Sequence, residues 1–113
     1  MLNESLQLDR AFSALADPVR RGILARLSQG PASVSELAKP LPISLPAVLQ
    51  HLKALETSGL VGSQKKGRVR TVHLEREILG AAETWISQRR IEWEERLDRF
   101  ALHLKTMAKE EQQ

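Results

Sequence analysis

Lys65, Lys66, Arg68 and Arg70 fall in the stretch 61–76, where with Arg76 and against Glu75 alone they give a balance of +4. The whole 113-residue chain carries only +3, residues 1–60 balancing at +1 and residues 77–113 at −2. A cationic cluster confined to one short segment is suited to phosphate oxygens, which Lys and Arg neutralise with release of counterions. Lysines on an exposed hairpin also block edge-to-edge strand pairing, so this charge taken alone fits either use. Just upstream, Pro46, Gln50, Lys53 and Thr57 recur on one side of a helical repeat, flanked by Ala47 and Ala54. Small residues allow a helix to approach the major groove closely, and an amide or a cation can then meet base edges and phosphates. Read in isolation, that face is equally the solvated side of an amphipathic helix.

Other chemistries find little support. Cysteine is absent, which excludes disulfides, zinc ribbons and thiolate metal sites. No nucleophile elbow, glycine-rich phosphate loop or acid–base constellation stands at a readable spacing, so no enzyme activity and no cofactor are expected. His103 lies near Asp98 and Arg99 without paired-ligand spacing, and His73 falls on a separate strand, so no metal site is expected. His51 reads as a helix-packing or phosphate-contacting residue rather than a ligand. The first residues lack the basic and apolar regions of a signal peptide, and no apolar run is long enough for a bilayer. A soluble cytoplasmic protein without a membrane partner is expected.

The elements that must position these residues are punctuated clearly. Leu6, Phe12, Leu15 and Ala16 predict an amphipathic helix over about 4–16. Asp17-Pro18 reads as an N-cap and first-turn proline, opening a helix that turns Val19, Ile23, Leu24 and Leu27 inward and stops at Gly30-Pro31. Ser33-Val34-Ser35-Glu36 is a capping box, and the short helix after it uses Val34, Leu37 and Ala38 before ending by Lys39-Pro40. Ser44 caps the next helix, about 45–58, with Pro46 in its first turn and Val48, Leu52 and Leu55 on its core side. Gly59 is the expected left-handed terminator. Strands over 60–64 and 69–74 then flank a turn at Lys66-Gly67-Arg68, with their register left open by the pattern. Two short helices followed by a basic hairpin make a shape suited to duplex DNA, one helix entering the major groove and the hairpin reaching the flanking backbone.

The last predicted helix, about 76–107, is long for so small a protein. Ile86, Arg90, Trp93, Leu97, Phe100, Leu104 and Met107 follow alternating steps of four and three, a heptad-like seam. Such a seam fits packing on the same helix of a second copy better than an intramolecular stripe, and Trp85 and Trp93 would suit that interface. Arg90 has Glu94 or Glu83 for a partner. One domain over 1–107 is expected, mainly α with a small β-hairpin, followed by a frayed tail at 108–113.

These residues resemble a known family. Ala14-Leu15-Ala16-Asp17-Pro18-Val19-Arg20-Arg21-Gly22-Ile23-Leu24 is similar to the opening of ArsR-type winged-helix transcriptional regulators. Ser35-Glu36-Leu37-Ala38, Ile43-Ser44-Leu45-Pro46-Ala47-Val48 and His51-Leu52-Lys53-Ala54-Leu55-Glu56 resemble their helix-turn-helix. Gly59-Leu60-Val61 and Lys66-Gly67-Arg68-Val69-Arg70 resemble their wing. The likeness runs over about 10–105, and the paired tryptophans resemble a subgroup of that family.

The resemblance implies a homodimeric repressor acting on double-stranded DNA. By position it places Ser44, Pro46, Ala47, Gln50 and His51 against DNA, Lys53 at the edge, and Lys66, Arg68 and Arg70 on the wing, which also carries Lys65. It assigns the first and last helices to the dimer interface, and with them Leu6, Phe12, Trp85, Ile86, Trp93, Leu97, Phe100 and Leu104. Leu49 stands where a serine is expected, leaving thymine-methyl contact or packing as its use. Without cysteine, thiolate-based sensing is closed to this chain, and its effector is not identified. The rival is a winged helix used only for protein contacts, which has no need of a concentrated +4 in its wing.

Overall fold

A computed structural model of the protein describes residues 4–112. Its elements are α1 (Glu4–Leu15), α2 (Pro18–Leu27), β1 (Ala32–Ser33), α3 (Val34–Ala38), α4 (Leu45–Thr57), β2 (Val61–Lys66), β3 (Val69–Leu74) and α5 (Arg76–Glu111). The chain divides into two compact units, Met1–Ala82 and Glu83–Gln113. The first unit is the winged helix-turn-helix.

Local chemistry sets its joints. Asp17 Oδ1 accepts from the Val19 and Arg20 amides at 2.8 and 3.1 Å, capping α2. At α3 the box closes reciprocally: the Glu36 amide donates to Ser33 Oγ at 3.1 Å, and the Ser33 amide donates to Glu36 Oε1 at 3.2 Å. α4 starts on Ser44, whose Oγ accepts from the Ala47 amide at 3.3 Å. It ends in a full Schellman motif, with the Leu60 amide on the Leu55 carbonyl and the Gly59 amide on the Glu56 carbonyl, both at 3.0 Å. Gly59 takes φ +80°, and Leu60 is buried against the helix it has just left.

The sheet has three strands in the order β1-β3-β2, all antiparallel. β1, absent from the sequence pattern, pairs Ala32 with Val72 and Ser33 with Thr71. Two residues with one buried side chain carry no readable alternation; long-range pairing alone makes them a strand. β2 begins at Val61, because Leu60 belongs to the helix terminator. The hairpin register is Val61↔Leu74 through Lys66↔Val69, closing on Gly67-Arg68. Gly67 has φ +61° and Arg68 does not share the left-handed region, so a two-residue turn with glycine first joins the strands.

Ile23, Leu24 and Leu27 from α2, Leu37 from α3, Val48, Leu52 and Leu55 from α4, and Leu60, Val61 and Val72 around the sheet build one core. Leu55, Leu60, Val48 and Val72 are its largest fully buried side chains, each contributing about 1.5–3 kcal/mol of burial. α1 reaches this core through Ala11 and Ala14, with Leu15 alongside. Leu6 and Ala16, part of the expected stripe, are exposed, and Phe12 is half-buried. Small side chains give the sequence pattern little amplitude, yet they let the helix lie close.

The second unit is the helical segment from Glu83, and α5 runs to Glu111 where the sequence pattern places its end near Met107. Ile86, Trp93, Leu97, Phe100, Leu104 and Met107 are all exposed, Trp93 by 58% and Phe100 by 59%. Arg90 Nε lies 3.9 Å from Glu94 Oε1, an i,i+4 pair, and the Arg89 guanidinium stacks 5.0 Å from the Trp85 ring. No helix among the described residues is long and apolar enough to cross a membrane.

Candidate nucleic-acid interface

α4 presents its core side through Val48, Leu52 and Leu55, which fixes what the remaining arc offers outward. Leu45, Pro46, Leu49, Gln50, Lys53 and Thr57 are exposed along that arc. Pro46 stands in the first turn, where a missing N–H leaves no bond unmade. The outward surface near the helix N-terminus therefore combines carbon, one amide and one ammonium group.

Not every residue expected to meet DNA stands on that arc. Ser44 spends its hydroxyl on the cap and remains exposed. Ala47 is half-buried. His51 turns toward α2, and its Nδ1 accepts from Arg20 Nε at 3.1 Å. Asp17 Oδ1 is 4.0 Å from the same nitrogen, at the outer limit for an ion pair. The shorter Arg20 contact governs the geometry, because a nitrogen that accepts from a guanidinium carries no proton to share with Asp17. The Asp17 carboxyl is held below the usual carboxylate range, chiefly by the Arg20 amide, against partial desolvation and with help from the Val19 amide and the nearby Arg20 charge. Arg20 thus links the α2 cap to the middle of α4.

The hairpin divides its cations by pleat. Lys65 and Arg70 are cross-strand partners on the face that continues inward as Ser63 and Val72, while Lys66 pairs with Val69 on the other face and Arg68 occupies the turn. All four are exposed. Arg70 Nη1 donates to Ser63 Oγ at 2.9 Å, and Ser63 Oγ donates to Glu56 Oε1 at 3.1 Å. That relay ties the root of the wing to α4, leaving Lys65, Lys66 and Arg68 as the outer cations.

Two open grooves flank α4. On the hairpin side, Leu49, Lys53, Glu56 and Arg70 rim a groove of about 380 Å³ over Val34, Leu52, Val61 and Val72. On the other side, Gln50, Lys53 and Thr57 share a groove of about 490 Å³ with Arg10 and Ser13 of α1 and Arg20 of α2, with Asp9 at its edge. Arg10 and Arg20 are cations that the sequence pattern does not single out, since the helices carrying them are read by their apolar residues. Only the packing of α1 and α2 beside α4 brings them to the groove along its exposed side. Among the described residues no three His, Cys, Asp or Glu side chains form a group able to hold a metal ion.

Comparison with known proteins bears on this geometry. A helix-turn-helix domain model matches residues 15–63. The chain is 50% identical over 76 residues to the HTH-type transcriptional regulator Rv2034 of Mycobacterium tuberculosis, covering 67% of this chain and 71% of that protein. It is 28% identical over 79 residues to the transcriptional repressor SdpR of Bacillus subtilis, covering 70% and 88%. The crystal structure of an ArsR family transcriptional regulator, RHA00566, superposes with a TM-score of 0.77 at 48% identity, covering 83% of this chain and 97% of that one. The solution structure of the homodimeric winged helix-turn-helix DNA-binding domain of Mb0332 from Mycobacterium bovis gives 0.61 at 27% identity, covering 76% and 82%. Half-identity over most of a named regulator, and 48% identity on the same fold to an ArsR family regulator, place this chain in the ArsR family of helix-turn-helix transcriptional regulators.

Proposed function

We propose that the protein is a cytoplasmic repressor that binds an inverted-repeat operator as a homodimer. The observation that carries this reading is the juxtaposition of α4, with Pro46, Gln50 and Lys53 exposed, and a hairpin whose outer cations Lys65, Lys66 and Arg68 make no part of the core. Gln50 supplies an amide able to donate to adenine N7 and accept from N6. Lys65, Lys66, Arg68 and Lys53 hold phosphates, with Arg70 at the wing root and the exposed Ser44 at the helix N-terminus. Ala47 permits close approach, and His51 supports the face through Arg20.

Pairing of two copies is supported by the exposed α5 seam. Trp85, Ile86, Trp93, Leu97, Phe100 and Leu104 are exposed in the single chain. An exposed row of large apolar side chains is a liability in a monomer and an interface in a dimer. The family likeness adds Leu6 and Phe12 of α1. A twofold pair presents two α4 helices to half-sites about 10 base pairs apart, and occupation of promoter DNA blocks transcription.

Binding to duplex DNA from the protein's own upstream region, titrated by fluorescence anisotropy from about 50 to 200 mM salt, tests the reading. The log of the association constant should fall linearly with log salt, by about 0.9 per phosphate neutralised. No binding at low salt, or a flat profile, would favour a winged helix used for protein contacts.

A further inference from the structure

We infer that α4 reads thymine through its leucines: Leu45 and Leu49 seek the C5-methyl groups of thymines in each half-site. This rests on the DNA-binding reading above and names the base that the reading helix selects.

Leu45 is 54% exposed and Leu49 46%, although each is a large apolar side chain on a short helix with three fully or nearly buried neighbours. They stand four residues apart on one side of α4, in the N-terminal half that would enter a major groove first, and Leu49 lines the hairpin groove. Exposed Pro46 adds carbon on the adjoining arc of the helix. Beside Leu49, Lys53 and Arg70 border the groove, its one carboxylate, Glu56, accepts from Ser63, and Lys65 is the cross-strand partner of Arg70. Apolar carbon beside a surplus of positive charge fits a polyanion that offers an apolar spot, rather than an apolar protein partner.

The major-groove edges of the four ordinary bases offer one such spot, the thymine methyl; the rest of each edge is donors and acceptors. A leucine pressed on guanine or cytosine strips water from polar atoms and returns no hydrogen bond, which is unfavourable. Pressed on a thymine methyl, it removes two apolar surfaces from water at once. The leucines therefore select by attraction at T and by penalty at G·C. With Gln50 one residue beyond Leu49 and suited to adenine, the half-site under α4 is A·T-rich.

The test uses the full-length wild-type protein. Its preferred duplex is selected from a randomised pool, and each thymine is then replaced singly by deoxyuridine, which keeps pairing and loses only the methyl. One or two thymines per half-site should show weakening of about threefold to fourfold, the burial value of one methyl group. At those positions Leu49→Ala or Leu45→Ala should bring the T-to-U ratio below twofold while leaving other thymines unaffected. Both leucines are exposed, so alanine leaves the core intact. Indifference to uracil at every thymine, or T-to-U ratios unchanged in both variants, overturns the inference while leaving the DNA-binding reading standing. Failure to enrich any duplex overturns both.

Discussion

Arg20 and His51, 31 residues apart in sequence, are joined by a 3.1 Å hydrogen bond from the guanidinium Nε to the imidazole Nδ1. The bond fastens α2 to the middle of α4. With Nδ1 engaged in this way, we propose that His51 supports α4 rather than reading bases. His51→Ala should cost about 1 kcal/mol of stability, with His51→Gln, which keeps an acceptor, losing less. Urea unfolding measures the loss, and selection from randomised duplexes should return the same preferred sequence as wild type. An altered preference at one base would show that His51 reads DNA itself.

Acid sensitivity follows from the caps. Asp17 is held below the usual carboxylate range chiefly by the Arg20 amide, and Glu36 chiefly by the Ser33 amide, then by the Ser33 hydroxyl and Arg26. The folded chain therefore binds protons at these carboxyls less readily than the unfolded chain. The stability they contribute is complete above about pH 5 and is lost as pH falls through the unfolded values near 4 and on through the folded ones. Asp17→Asn keeps a capping oxygen and removes the charge. It should lower Tm at pH 7 and flatten the dependence of Tm on pH between about 5 and 3, read by thermal unfolding across that range.

Gly59 is the most demanding backbone position of the helix-turn-helix. Its φ is +80°, and a Cβ there would stand 2.9 Å from Ile78 Cγ1. Gly59→Ala should destabilise by about 1–2 kcal/mol from conformation alone, with the Ile78 contact adding to it. Denaturant midpoints with an unchanged m-value would report it. Gly67→Ala, at φ +61° with open space around it, should bear the conformational cost only.

Much of this architecture is written locally. The Asp17 and Ser33 caps, the Glu36 return bond, Ser44 and Gly59 each depend on residues within a few positions, so their chemistry is legible in order along the chain. The inward faces of α2 and α4 are legible for the same reason, through 3.6-residue spacing of Ile, Leu and Val. β1 is not, because Ala32 becomes a strand only by meeting Val72. Ala11 and Ala14 escape notice because alanine adds little to an apolar pattern while packing closely. The Arg20–His51 bond and the Arg70–Ser63–Glu56 relay join elements whose approach no local spacing encodes. Leu49 is visible in the sequence as an apolar residue on a polar arc, but its exposure, and that of Leu45, is a property of the packed helix.

Gln50 and Arg68 should fail in different ways. Gln50→Ala removes an amide from the exposed arc and should relax discrimination at one base pair per half-site, by about 1–3 kcal/mol of specificity. Arg68→Ala removes a cation from the turn and should weaken all sequences about equally, with the salt slope falling by about one for each phosphate no longer neutralised. Both are read by titrating the preferred duplex and its single-base variants at several salt concentrations. Changed base preference in Arg68→Ala would mean that the wing senses groove width.

The proposed repression requires two copies to set paired reading helices into successive major grooves on one face of the duplex. Hydroxyl-radical footprinting of the full-length protein on its preferred duplex, with the bound stoichiometry measured alongside, is the decisive experiment. Protection should be symmetric about a dyad, with half-site centres about 10 base pairs apart and two chains per site. A single asymmetric patch bound by one chain would refute the paired arrangement.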